Sequence, residues 1–326
     1  MEYRRLGRTG LKVSKVSLGT MAFGRWIDEN ASAQILDKSI DLGINLLDTA
    51  DIYGKGMDNG NFDQLGESET VLGNTLKQKR RDVLISTKLN NRMGPLANDQ
   101  GQSRYHILRA LEASLQRLQT DYIDILHVHR FDPNSRFEES LRALDDLITQ
   151  GKVRYIACSN FAAWQIAKAH GISMLHHFAR YESIQTEYSL ISRKIEEEII
   201  PFAKSEEVGI LAYSPLGRGI LTGKYSAGSP PPLDSRLASG EEKLKELIDQ
   251  KNIFEYVDTL DEIAKHKGWN LPQLAFNWVA NHPSVTSAIF GASKVMHLED
   301  TLKHVDDQLS AEELVQIDKA YQDIKL

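Results

Sequence analysis

The sequence predicts an α/β protein, a (β/α)8 TIM barrel with an N-terminal β-hairpin and extra helices at its C-terminal end. Three observations predict it. Eight short, strand-like apolar runs recur along the chain with amphipathic stretches between them, the alternation that makes parallel strands and crossover helices. The strand–helix units are of similar length, which favours a closed barrel over an open sheet. The 326 residues fit such barrels with insertions, which run from roughly 200 to over 400 residues.

The elements follow in order. Tyr3-Arg-Arg-Leu6 and Leu11-Lys-Val13 flank Gly7-Arg-Thr-Gly10 and read as a small hairpin. Strand-like runs come at 16–18, 46–48, 83–87, 122–129, 155–159, 183–186, 209–213 and 287–290. The run Ile44-Asn-Leu-Leu-Asp48, preceded by Gly43, suits a parallel strand buried on both faces. Leu108, Leu111, Leu115 and Leu118 recur at helical spacing and make one apolar face; 138–150 and 195–204 behave likewise. Gly43, Gly151, Gly171, Gly209 and Gly268 fall where helices should stop. Two segments break the rhythm. Residues 54–66, rich in Gly, Asn and Asp, predict a mobile rim loop. Residues 216–251, with Ser229-Pro-Pro-Pro232, have the length of a lid or binding loop. No stretch resembles an interdomain linker, so residues 1–326 read as a single barrel domain.

Composition excludes several classes. Hydrophobic residues at 41% suffice for a large core. A net charge of −6, with 39 basic residues spread along the chain, argues against nucleic acid. The lone Cys158 precludes an intramolecular disulfide and fits a reducing compartment. The opening Met1-Glu-Tyr-Arg-Arg5 lacks a signal-peptide core, and no apolar run reaches the ~18 residues of a membrane span. A soluble cytoplasmic protein is expected, as monomer or homo-oligomer.

Chemistry gathers at strand ends, where α/β folds keep their sites. Asp48 ends one strand and Tyr53 stands five residues on; Lys88 and His129 close the next two strands. An acid, a phenol, an ammonium and an imidazole on adjacent strand ends suggest proton transfer. His127-Val-His129 could instead hold a metal at a strand end. Ligands from later strands are wanting, because Ser159, Thr186 and Tyr213 stand there. No metal site is expected, and His127 is expected to fill the barrel interior.

Leu18-Gly-Thr20, Asp48-Thr-Ala50, Tyr53-Gly54, Ser159-Asn-Phe161, Gln185, Tyr213-Ser-Pro-Leu-Gly-Arg-Gly219, Leu221-Thr-Gly-Lys-Tyr225 and Gly291-Ala-Ser-Lys294 occur in this order. In these motifs the whole chain resembles the aldo-keto reductases, NADPH-dependent barrels that reduce carbonyls. It is most similar to the bacterial branch related to potassium-channel β-subunits. The resemblance implies hydride transfer between NADP(H) and an aldehyde or ketone, with Tyr53 as general acid. Hydride addition leaves an alkoxide that needs a proton. Lys88 is expected to draw the Tyr53 pKa down from about 10; Asp48 would hold Lys88, and His129 would bond the substrate oxygen.

No Gly-x-Gly-x-x-Gly follows the first strand, so a Rossmann cofactor site is unsupported. The resemblance instead places cofactor along the barrel mouth. It implies contacts from Gly19, Thr20 and Met21; from Ser159, Asn160 and Gln185 to the carboxamide; and from Tyr213 stacking on the nicotinamide. Ser214, Leu216, Gly217, Arg218 and Lys224 match a pyrophosphate strap, and Arg236 a lid residue. Gly291, Ser293, Lys294 and His297 match the adenosine-phosphate grip, with Asp300 on adenine. A lysine and a hydroxyl beside a helix start suit a 2′-phosphate, hence NADP over NAD; alone, Lys294 could equally be a solvated surface lysine. The chain departs from the family pattern at Ala157-Cys158, at His297, at Thr301 and in the longer loop after Tyr53. A cofactor-bound redox-sensing regulatory subunit of the same fold is the alternative reading.

Overall fold

The computed structural model describes residues 1–226, 242–249 and 252–324. An antiparallel hairpin of β1 (Tyr3–Arg5) and β2 (Lys12–Ser14) leads the chain. Eight strands follow: β3 (Val16–Gly19), β4 (Leu46–Asp48), β5 (Leu84–Leu89), β6 (Ile123–Val128), β7 (Val153–Ser159), β8 (Tyr181–Glu187), β9 (Gly209–Tyr213) and β10 (Ser287–Gly291). They pair in parallel and close as β10-β3-β4-β5-β6-β7-β8-β9. The fold is a (β/α)8 barrel.

The helices alternate with the strands. Those before β9 are α1 (Glu29–Asp41), α2 (Gly56–Asn59), α3 (Glu67–Leu76), α4 (Arg104–Leu118), α5 (Phe137–Thr149), α6 (Ala163–His176) and α7 (Ile199–Glu206). Between β9 and β10 lie α8 (Glu242–Ile248), α9 (Ile253–His266) and α10 (Leu271–Ala280); α11 (Val295–Leu302) and α12 (Ala311–Ile324) follow. In α4, Ser103 caps the start by accepting from the His106 amide at 3.2 Å. Its buried stripe is Ile107, Leu111, Leu115 and Leu118, with Leu108 at the edge.

Two cores sit on opposite sides of the strands. The larger packs their outward side chains against the helices. The smaller joins Leu6 and Val13 of the hairpin region to Leu46, Ile125, Ala157, Leu211 and Ile289 from five strands. The hairpin therefore stoppers the N-terminal end of the barrel. Its approach is close: a Cβ on Gly7, whose φ is +54°, would fall 2.6 Å from the Glu182 and Glu207 carbonyl oxygens.

Some expectations need correction. Gly43, Gly151 and Gly268 do follow helices at positive φ. Gly171 lies inside α6, which stops instead at left-handed His177. Gly209 opens β9, because a Cβ there would lie 2.9 Å from the Gly7 amide; Glu207 ends α7. The 54–66 segment is built rather than open, carrying α2 and a 3-10 turn at Phe62–Gln64. Arg25 pairs with Asp58 across it. Of the 216–251 segment, Leu216 leads into a 3-10 turn at Gly217–Thr222. Ser229-Pro-Pro-Pro232 and Arg236 lie outside the described residues. Among the described residues no helix is long and apolar enough to cross a membrane.

Candidate active site

Successive strand side chains point to opposite faces, so the residue two beyond each floor residue also faces inward. Above Leu46, Ile125, Ala157 and Leu211 stand Asp48, His127, Ser159 and Tyr213. This rule converts an apolar floor into a polar layer one step higher. Lys88 joins it from β5, paired with His127 in register.

Lys88 is fully buried and Asp48 nearly so, at 0% and 3% exposure. Unpaired charges there would be severely destabilising. The Lys88 ammonium donates to Asp48 Oδ2 at 2.7 Å, to the Thr49 carbonyl at 2.7 Å and to Tyr53 Oη at 3.3 Å. All three of its protons are thus placed. Asp48 Oδ1 accepts from Ser86 at 2.9 Å and from Gln185, across the barrel, at 2.8 Å. Burial presses Lys88 toward neutrality, but Asp48 and Tyr53 outweigh it and raise its pKa.

A lysine ammonium only donates, so Tyr53 Oη accepts that bond and its own hydrogen is left to point elsewhere. The expectation of a lowered Tyr53 pKa is not met. Burial raises it, and Lys88 offsets this only in part, with Asp48 working against it. The group is a phenol, loaded with its proton. His129 stands edge-on to the Tyr53 ring, with centroids 6.1 Å apart at 80°. Burial, with Lys88 and Arg130 nearby, holds the imidazole pKa well below its ordinary value. Below them His127 fills the barrel interior as expected; burial brings its pKa to about 4. Cys158 is likewise buried, and its thiol pKa is pushed up. Among the described residues no three His, Cys, Asp or Glu gather as a metal site.

The structure brings Asp48, Tyr53, Lys88 and His129 into one cluster. Among the described residues, other candidates stand at or just after the ends of β3, β7, β8, β9 and β10. Gly19 ends β3 and leads to Thr20, whose hydroxyl donates to the Asp48 carbonyl at 3.1 Å, and to Met21. Ser159 donates to the Gln185 carbonyl at 2.9 Å. The Asn160 amide donates to the His129 carbonyl and to Ser159 Oγ at 3.0 Å each, and accepts from Tyr213 Oη at 2.8 Å. Its side chain is thereby committed to protein partners. Ser214, Gly217 and Arg218 all take positive φ, turning the chain sharply after β9; Arg218 pairs with Glu187 at 2.9 Å. Beyond the turn, the Lys224 side chain passes beside Gly219.

Gly291 ends β10, Ser293 follows, and Lys294 is the exposed N-cap of α11. Burial, then Lys294 and Lys224, lowers the His297 pKa. The three basic groups share one field. The Asp300 carboxylate accepts from Asn270 and Gln273 at 2.8 and 3.2 Å, tying α11 to the start of α10. Sequence reasoning missed Ser86, Thr49 and Asn91, which touch the cluster directly. Ser86 was within reach of the period-two rule through Lys88; a backbone carbonyl and a post-strand asparagine carry no such signal.

Comparison with known proteins gives a consistent result. The profile of the aldo/keto reductase family matches residues 15–322. A Bacillus subtilis protein named an uncharacterized oxidoreductase, YrpG, is 36% identical over 96% of this chain and 93% of its own length. A probable voltage-gated potassium channel subunit beta of Arabidopsis thaliana is 36% identical over 94% of this chain and 92% of its own. The versiconal hemiacetal acetate reductase of Aspergillus parasiticus is 33% identical over 98% and 97%.

Proposed function

The chain belongs to the aldo/keto reductase family, and from that premise we propose that it is an NADPH-dependent reductase of aldehydes or ketones, with Tyr53 as general acid. The Lys88 ammonium shared between Asp48, the Thr49 carbonyl and Tyr53 carries this reading. Bound NADPH would supply the hydride. The chain's task is to deliver one proton to the alkoxide that hydride addition leaves. Tyr53 holds that proton on an oxygen whose lone pair already faces Lys88, so the developing phenolate meets a fixed cation. Asp48 keeps Lys88 charged and aimed. His129 donates a hydrogen bond to the same substrate oxygen and orients the carbonyl.

The residues present fit the cofactor. Ser159, Gln185 and Tyr213 would hold the nicotinamide end, with Asn160 supporting them through Ser159 and Tyr213. The turn at 214–219 and Lys224 would take the pyrophosphate. At the start of α11 Lys294 would supply positive charge, with Ser293 and the neutral His297 as hydrogen-bond partners, a set that suits a 2′-phosphate. A panel of aldehydes, ketones and sugar-derived carbonyls, read by NADPH consumption, tests the proposal. Steady turnover on any of them supports it; no turnover on all of them opposes it.

The relatives named as channel β-subunits favour a second reading, a cofactor-bound regulatory subunit. Under that reading NADPH binds but simple carbonyls elicit no steady turnover. The complete cluster around Lys88 favours the enzyme.

A further inference from the structure

His129 offers two ring nitrogens, and only one tautomer can donate a hydrogen bond into the barrel mouth. Its Nδ1 lies 2.7 Å from the Asn91 side-chain amide nitrogen. The orientation of that amide is fixed by its other partners. Arg130 Nη2, which can only donate, contacts Asn91 Oδ1 at 3.2 Å. The Asp51 carboxylate lies 3.4 Å from Asn91 Nδ2. Oxygen therefore faces Arg130, and the two amide protons face Asp51 and His129. Asn91 is 6% exposed and Asp51 fully buried, while Arg130 reaches the amide from the exposed side. His129 Nδ1 must accept, and its proton sits on Nε2.

We infer that Asn91, gripped by Asp51 and Arg130, is a positioning residue that locks His129 in the Nε2–H tautomer. Asn91 acts through the imidazole and not on the reacting atoms. Arg130 orients the amide from its oxygen end, and Asp51 takes the second amide proton. The unpaired Oδ2 of Asp51 leaves its other oxygen as the acceptor for Asn91. The role extends the proposed reductase reading, because a His129 donor assists only if a substrate oxygen is present to receive its bond. The tautomer itself is independent of that reading.

The test is nuclear magnetic resonance of the intact protein carrying 15N-labelled histidine, with the His129 signals identified by their loss in His129→Gln. Wild type is expected to show a neutral ring protonated at Nε2. Exchanging the two groups, Asp51→Asn/Asn91→Asp, puts a carboxylate against Nδ1 and should move the proton to Nδ1, as the other tautomer or as imidazolium. A wild-type ring protonated at Nδ1 overturns the inference without needing the variant. A ring unchanged by the exchange overturns it as well. Where the exchange gives the neutral Nδ1–H tautomer, the Nε2 donor is lost and kcat in carbonyl reduction should fall on the order of a hundredfold, as loss of one oxyanion donor does, whereas an imidazolium keeps that donor and should hold kcat; in either case NADPH affinity stays within about twofold. Absence of turnover in wild type would instead remove the reductase reading and leave the tautomer result standing.

Discussion

Asp51 illustrates how the fold perturbs single residues around the site. Burial pushes its carboxyl pKa up to about 7, assisted by Glu69 and opposed by Asn91 and Arg117. The unfolded chain titrates this group near 3.8. Between those values the folded protein holds a proton that the unfolded chain has released. Stability therefore falls as pH rises through that window, by at most about 4 kcal/mol at roughly 1.4 kcal/mol per unit. Asp51→Asn removes the ionisation and should gain stability relative to wild type as pH rises from about 4 to about 8. Urea unfolding at both ends of that range measures it. An unchanged difference between variant and wild type would place the Asp51 pKa at its ordinary value. His127 has the opposite sign: with its pKa held near 4, it opposes folding as pH falls below its ordinary 6.5.

At the scale of elements, the strands were legible because each is a short apolar run ending in a residue of distinct chemistry, as in Leu46–Asp48. The period-two rule then carried Asp48 and Lys88 inward, and the hairpin was readable from its glycines. Gly209 misled because its reason is the Gly7 backbone, 202 positions earlier in sequence but in contact across the barrel floor. No local pattern reports such an approach. Asn91 was invisible for a related reason, since its partners Asp51, His129 and Arg130 converge only in three dimensions.

Two elements carry predictions. Lys294 stands at the start of α11 beside Ser293 and His297, so Lys294→Ala should weaken NADPH binding by roughly 1.5–3 kcal/mol and barely affect NADH. Paired titrations of the two cofactors decide; equal losses would move the 2′-phosphate contact elsewhere, with Arg236 the next candidate. The α2 segment presents Met57, 38% exposed, and Phe62 beneath the Arg92 guanidinium at 5.8 Å. Replacing residues 56–64 by a short Gly-Ser link should change the ranking of bulky against small carbonyls while NADPH affinity holds. Unaltered relative kcat/KM across the series would make this segment surface only.

For the molecule as a whole, closure of the barrel and its stoppered floor leave the polar layer accessible from one end. Five strands and the hairpin supply the apolar floor, and the residues two positions further along four of those strands build the mouth. This geometry lets a lysine remain charged at zero exposure, because Asp48 and Tyr53 face it from a rigid wall. Composition and strand-end chemistry were enough to foresee the cluster. They could not foresee that burial holds Tyr53 as a neutral phenol.

That phenol is where the reductase account is most exposed to measurement. Tyr53→Phe removes one oxygen and its proton while Lys88 keeps Asp48 and the Thr49 carbonyl. Single-turnover reduction of a carbonyl substrate by Tyr53→Phe, alongside an NADPH titration of the same protein, is the direct test. The predicted result is NADPH affinity near wild type with hydride transfer reduced on the order of a hundredfold or more, the scale of general acid catalysis. Hydride transfer at the wild-type rate in Tyr53→Phe would contradict the assignment.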